Sequence, residues 1–244
     1  MRWSLLVLSL FLNNCLFAQK VIIGTMPDHP PFSMLADDHS HFYGFEIDLM
    51  EAICHRANLQ CEYVAMEFKD LFIQLKARNI TLAVATIDIT EERARKFLFS
   101  IPYLCSKVQY MTTMSAPIYS IPQLVNKRIG TLKGSDLKMI VFQQVNGKAT
   151  VFDYPTTSLL VDALGHNNLD AVLMDGGTAQ YWADNNDNMF KLIGPRIFMD
   201  TGYGIMANKN QSQLINAIDK ALLSMENDGT YLQIFSRYFS EISN

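Results

Sequence analysis

The chain of 244 residues has little of what marks a catalyst, a membrane protein or a nucleic-acid binder. Its five histidines, His29, His39, His41, His55 and His166, are scattered, and none forms a metal-spaced, Ser-His-Asp or Cys-His set. No catalytic residue, metal or cofactor is therefore expected. Positive charge is not in excess: 20 Lys and Arg face 24 Asp and Glu, interspersed along the chain, which argues against a nucleic-acid or anionic-membrane surface. Beyond the N-terminus no stretch is apolar for the length of a membrane helix. There is no internal repeat, and only four cysteines. What is plentiful is apolar residues, 49% of the chain, enough for one large core or two smaller ones.

Residues 1–18 read as a secretory signal. Arg2 gives the basic start, Leu5 to Phe11 the short apolar segment, and Leu16-Phe17-Ala18 a cleavage site before Gln19. The Asn13-Asn14 pair before Cys15 lacks the small residues that lipoprotein processing prefers. The mature chain is thus expected to be exported and soluble in the periplasm, with Cys54, Cys61 and Cys105 as its cysteines. A helical pattern from Phe45 through Ala57 and a strand from Cys61 to Val64, joined by a turn at Asn58, would bring Cys54 and Cys61 close enough to bridge. The other reading is two separate buried thiols. Cys105 is expected to be buried packing.

Short apolar runs alternate with helical stretches. Val21–Gly24, Cys61–Val64 and Leu82–Ala85 read as strands, with helices over Phe45–Ala57 and Lys69–Arg78 between them. The Met26–Phe32 segment is a proline-rich loop. A second unit follows: strands at Val108–Thr113, Arg128–Leu132, Val151-Phe152 and Leu169–Met174, with helices over Asp136–Gln144 and Thr157–Gly165. Strand Gly204–Ala207 and an amphipathic helix over Gln211–Asn227 close the chain. The order predicts an α/β protein with two mainly parallel sheets flanked by helices and a cleft between them. Lobe 1 takes residues 19–108 and 205–244, lobe 2 residues 109–204, with two crossover strands. Ligands of such sheets sit beyond the C-terminal strand ends, where His29, Phe68 and Asp88 fall.

Thr86-Ile87-Asp88-Ile89-Thr90-Glu91-Glu92-Arg93 leads from a strand into a helix. Thr90 is a good N-cap, and Glu91 and Glu92 suit the positive end of the helix dipole. Arg93 does not, and asks for an anion. That anion is either Glu91 or Glu92 in a surface pair, or a carboxylate seated on Arg93 and the neighbouring N–H groups.

Gly44-Phe-Glu-Ile-Asp-Leu49, Asp88-Ile-Thr-Glu-Glu-Arg93, Phe99-Ser-Ile-Pro-Tyr103, Arg128-Ile-Gly130, Asp170-Ala171 and Asp228-Gly-Thr-Tyr231 stand in the order found in type II periplasmic solute-binding proteins of the polar-amino-acid family, which feed ABC importers. The resemblance covers nearly the whole mature chain. It implies that Arg93 grips a ligand α-carboxylate, aided by backbone N–H groups at Asp88 and Asp136. It also implies that Thr86, Asp88 and Asp175 hold the α-ammonium, with Ser135 a further contact and Phe68 against the ligand side chain. For Asp175 the plainer alternative is a helix N-cap before Gly176-Gly177-Thr178.

Asp88, where most relatives carry Thr or Ser, resembles the arginine-binding branch, as does the Cys54…Cys61 pair. Arg93 against Asp88 and Asp175 leaves the site one charge negative, matching a basic amino acid, arginine first, then lysine or ornithine. Met26, His29 and Leu137 depart from that branch. His29 stands where a stacking tyrosine is usual, and its protonation is expected to weaken arginine binding below about pH 6. The implied protein is a monomer, not an enzyme, with an inner-membrane ABC permease as partner. The alternatives are a binder of glutamine or histidine, and an exported dehydratase of the cyclohexadienyl or arogenate type on the same fold.

Overall fold

The computed structural model describes residues 19–239, so the expected export signal and Cys15 lie outside the described residues. The first sheet begins with β1 (Gln19–Thr25), after which a small hairpin sheet, β2 (Asp28–His29), β3 (Ser33–Leu35) and β4 (Phe42–Tyr43), leads into α1 (Phe45–Arg56). β5 (Leu59–Ala65), α2 (Phe68–Lys76), β6 (Leu82–Ala83), α3 (Glu91–Lys96) and β7 (Leu98–Phe99) follow. The second sheet is built from β8 (Leu104–Thr113), β9 (Arg128–Leu132), α4 (Leu137–Gln144), β10 (Thr150–Tyr154), α5 (Thr157–Gly165), β11 (Ala171–Asp175), α6 (Gly176–Asp184) and β12 (Phe190–Tyr203). The chain then returns to the first sheet through β13 (Met206–Ala207) and ends in α7 (Ser212–Asn227) and α8 (Thr230–Phe239).

Each sheet has five strands, in the orders β5-β1-β6-β13-β7 and β10-β9-β11-β8-β12. The strands joined by helices are parallel, β1 to β5 and β6, and β9 to β10 and β11. Strands that arrive without a helical crossover run the other way, β13 against β6 and β7, and β8 against β11 and β12. Both sheets are therefore mixed, each with a parallel portion. Helices cover both faces, which is why the parallel strands read as near-continuous apolar runs. On the first sheet α1, α7 and α8 bury Leu49, Ile53, Ile218 and Ile234 on one face, and α2 buries Leu71 and Leu75 on the other. On the second, α4 contributes Ile140 and Val141 to one core, and α5 contributes Leu160 and Leu164 to the opposite one.

Cys54 and Cys61 are bridged, joining the last turn of α1 to β5 across Asn58, whose φ of 52° supplies the turn. So short a loop contributes about 2–3 kcal/mol by the chain-entropy account. The reduced protein, or Cys61→Ser, should melt several degrees lower in a calorimetric scan; an unchanged midpoint under reductant would contradict this. Cys105 is exposed on β8, not buried as expected, because it lies at the start of the strand, before the continuous buried run from Val108 to Thr112.

Candidate functional site

The loops leaving β1 and β6, the start of α2, the turn before α4 and the ends of β11 and β12 converge on one narrow cleft of about 40 Å³, well below the usual range for small-molecule sites, so the two lobes must part to admit a ligand. His29, Phe68, Thr86, Asp88, Ser135 and Asp175 all line it, together with Leu137, Thr157 and Tyr203. Arg93 and Asp136 instead line an adjoining recess with Phe72, Lys76 and Thr90.

Sequence places Thr86 after a two-residue strand, where the backbone turns with φ at 44°. A β-branched residue enters that region only under constraint. The constraint is visible: the Thr86 N–H donates to Glu46 Oε1 at 2.6 Å, and the Thr86 hydroxyl bonds His29 Nε2 at 3.1 Å. The Thr86 carbonyl oxygen accepts nothing from the described residues, which leaves an acceptor for a cationic donor at the cleft.

Two carboxylates dominate the cleft electrostatics. Asp175 Oδ1 accepts from the N–H groups of Gly177 (2.7 Å) and Thr178 (3.2 Å), capping α6, while Oδ2 accepts from the Tyr203 hydroxyl. Capping and a place in the cleft are thus compatible, because an ionised carboxylate has about four acceptor positions. Burial pushes Asp175 up to about 6, against the pull of those donors. Asp88 is also raised, mainly by burial, and the Ser106 hydroxyl and Arg93 oppose the rise. Both gain most from a cation that would restore their charge.

Arg93 is the third residue of a six-residue helix, so it belongs to the last turn as much as the first, and the dipole misfit expected from sequence is slight. Thr90 Oγ1 caps the Arg93 N–H at 3.3 Å, as expected. Neither Glu91 nor Glu92 holds the guanidinium; they pair with Arg95 and Lys96 one turn on. Instead Arg93 donates to the Asp88 carbonyl at 3.2 Å and forms an ion pair with the Asp136 carboxylate at 3.0 Å, with its guanidinium over the rings of Phe72 and Phe68 at 5.1 and 5.8 Å. Asp136 occupies the N-cap position of α4 without capping it. The N–H groups of Asp136, Leu137 and Lys138 have no acceptor among the described residues. The Ser135 hydroxyl is turned back onto the Leu132 carbonyl at 2.6 Å.

His29 departs from expectation in two ways. Its ring stacks on Phe32, at 22° and 5.4 Å, and its nitrogens bond the hydroxyls of Thr157 (3.2 Å) and Thr86, so it ties the two sheets together. Beside it, Asp28 Oδ2 accepts the Ser158 N–H at 2.8 Å, fastening the same hairpin to the start of α5. Burial lowers the His29 pKa to about 4, partly offset by Asp28, so the ring stays neutral at pH 6 and cannot cause the acid sensitivity expected of it.

Sequence reading missed Tyr203, Ser106, Thr157 and the depth of Glu46. Each meets its partner across long stretches of chain, and no local spacing signals that. Among the described residues no group of three His, Cys, Asp or Glu could hold a metal ion.

The family model of bacterial extracellular solute-binding proteins, family 3, matches residues 21–241. The lysine/arginine/ornithine-binding periplasmic protein of Escherichia coli (strain K12) is 28% identical over 254 residues, covering 98% of this chain and 97% of that protein. The crystal structure of an arginine 3rd transport system periplasmic binding protein from Legionella pneumophila superposes with a TM-score of 0.88 at 40% identity, covering 91% of this chain and 100% of that one. An ancestral arginine-binding protein bound to arginine gives a TM-score of 0.83 at 29% identity, covering 91% and 99%.

Proposed function

The chain belongs to the bacterial extracellular solute-binding proteins of family 3, and from that premise we propose that it captures a basic amino acid, arginine first, for an ABC importer of the inner membrane. It is a two-lobe binding protein of the periplasmic type II fold and not an enzyme, so the dehydratase alternative falls away. Two of the relatives named above are periplasmic binding proteins, and among the described residues no helix is long and apolar enough to cross a membrane. We place this chain in the periplasm as well, delivered by residues 1–18, with the lobe boundaries near Val108 and Gly204 on the two connecting strands.

The observation that carries the reading is the pairing of two desolvated carboxylates, Asp88 and Asp175, in one cleft with a nearly buried guanidinium, Arg93, at its edge. The α-ammonium is held by Asp88, Asp175 and the Thr86 carbonyl. The α-carboxylate reaches Arg93 and the N–H groups at the start of α4, and the side chain runs past Phe68. Arg93 and Asp88 come from the first lobe, and Ser135, Asp136 and Asp175 from the second. The ligand therefore contacts both lobes and favours the closed form by its differential contacts.

A thermal-shift screen of the twenty amino acids with ornithine and citrulline tests the assignment. A ligand at a hundred times its Kd adds about 2.7 kcal/mol to the stability of the native state. Arginine should raise the melting midpoint most, by roughly 5–10 °C, with lysine and ornithine behind it. Citrulline, similar in shape but uncharged at the side-chain end, should give little shift. A larger shift with glutamine or histidine would refute the basic-ligand assignment.

A further inference from the structure

Asp136 stands where an aspartate ordinarily caps its own helix, accepting from the N–H groups of the first turn. Here it does not cap. Its carboxylate crosses to the other lobe and takes the Arg93 guanidinium at 3.0 Å. Arg93 is thereby furnished with a carboxylate from the protein itself, on the group that the proposed function assigns to the ligand's α-carboxylate. Two carboxylates on one guanidinium repel each other, so a ligand carboxylate must displace Asp136 or share Arg93 at a cost. The charge balance points the same way. With Asp136 counted, the cleft and its recess set three carboxylates, Asp88 and Asp136 beside Arg93 and Asp175 across the cleft, against one guanidinium, and these four groups sum to −2. A zwitterionic basic amino acid brings +1. A diamine or guanidino amine without a carboxylate brings +2.

We propose that Asp136 is a specificity-determining residue that substitutes for the ligand's α-carboxylate on Arg93, so that the cleft accepts the decarboxylated dications of basic amino acids beside the amino acids themselves. This rests on the basic-ligand reading of the cleft. The ammonium of such a dication takes the Asp88 and Asp175 carboxylates as the amino acid's does, and its far cation runs past Phe68. The Arg93–Asp136 pair stays closed over it. For arginine the same pair has to open or be shared, and part of the affinity that Arg93 would otherwise confer is lost.

The test is calorimetric titration of the wild-type protein and of Asp136→Asn with arginine and with agmatine, its decarboxylated form, at one pH and ionic strength. Asp136→Ser serves as a second variant, and circular dichroism verifies the fold of each. Wild-type protein should bind agmatine within about tenfold of arginine, and both variants should raise the arginine-to-agmatine affinity ratio at least tenfold. The ratio matters because both ligands carry the same two cationic groups, which the loss of one negative charge weakens alike, so a change in the ratio reports on the carboxylate that only arginine has. A ratio that is unchanged or lower in the variants overturns the proposal, as does wild-type protein that rejects agmatine by more than a thousandfold. Wild-type protein that binds glutamine but neither arginine nor agmatine refutes the basic-ligand reading instead. The Asp136 competition is then judged by the same ratio between glutamine and 4-aminobutanamide, with the same outcomes supporting or overturning it.

Discussion

Arg93→Ala should weaken amino-acid binding at least a hundredfold, about 3 kcal/mol, whichever amino acid proves to be the ligand. The α-carboxylate is common to all of them, and truncating one member of a desolvated charge pair typically costs about 2–5 kcal/mol because the other charge is left without its partner. Arg93 is suited to that part. Its guanidinium is held over Phe68 and Phe72, largely shielded from water, with the Asp88 carbonyl fixing one of its donors and the Asp136 carboxylate paired with it. Lysine at this position would keep the charge and lose the planar fork, so Arg93→Lys should fall between the two. The control is Arg95→Ala on the same helix. That side chain is exposed and paired only with Glu91, a contact worth a fraction of a kcal/mol, and it touches neither recess. Titration calorimetry on the three variants separates the outcomes, and near-normal affinity in Arg93→Ala would remove the residue from the site.

The elements that could be read from sequence are those whose pattern is local. The helical spacing over 45–57 and 157–165 falls on α1 and α5 nearly residue for residue. The Thr90 cap and the Cys54–Cys61 bridge also follow from neighbours in the chain. β12 was not legible, because Gly194-Pro195 and two register shifts interrupt its alternation over fourteen residues. α8 was passed over although Tyr231, Ile234, Phe235, Tyr238 and Phe239 recur at helical spacing. Its apolar face is aromatic and closes over Phe45 of α1. In the site, sequence pattern and family resemblance together named residues that the fold does bring to one cleft, but not what each is bonded to. His29 lines the cleft, and its ring nitrogens are also engaged by hydroxyls from both lobes, Thr86, Thr157 and Thr178. Arg93 was expected to await a carboxylate, and whether Asp136 could reach it depends on how two lobes meet.

Glu46 was legible only as an acidic residue in the first turn of α1, where it would ordinarily complement the helix dipole from the surface. Its burial makes it the source of the second large effect expected, a loss of stability as pH rises from 5 to 8. The side chain is fully enclosed, Oε1 accepts from the Thr86 N–H and the Tyr103 hydroxyl, and Oε2 has no partner among the described residues. Burial pushes the pKa from 4.5 up to about 7; Tyr103 and Thr86 resist the shift and the nearby Asp175 adds to it. The folded state therefore holds a proton that the unfolded chain has released. The stability this brings is fully present below the unfolded value and is lost as pH climbs through 7. One pKa unit is worth 1.36 kcal/mol, so the loss is about 3 kcal/mol. Asp175, raised from 3.8 to about 6, contributes in the same sense, but most of its share is lost by about pH 6 and the rest by about pH 7. Denaturant titrations of the ligand-free protein should thus show stability still falling between pH 6 and 7.5. Glu46→Gln should be nearly flat across that interval, whatever offset its buried amide introduces. A wild-type profile flat from pH 6 to 7.5 would show that Glu46 ionises without penalty. Ligand binding runs the opposite way with pH: a cationic amine needs Asp175 ionised, so affinity should drop below about pH 6, by up to tenfold per unit. His29, neutral down to about pH 4, has no part in that drop, and His29→Phe should leave its midpoint in place.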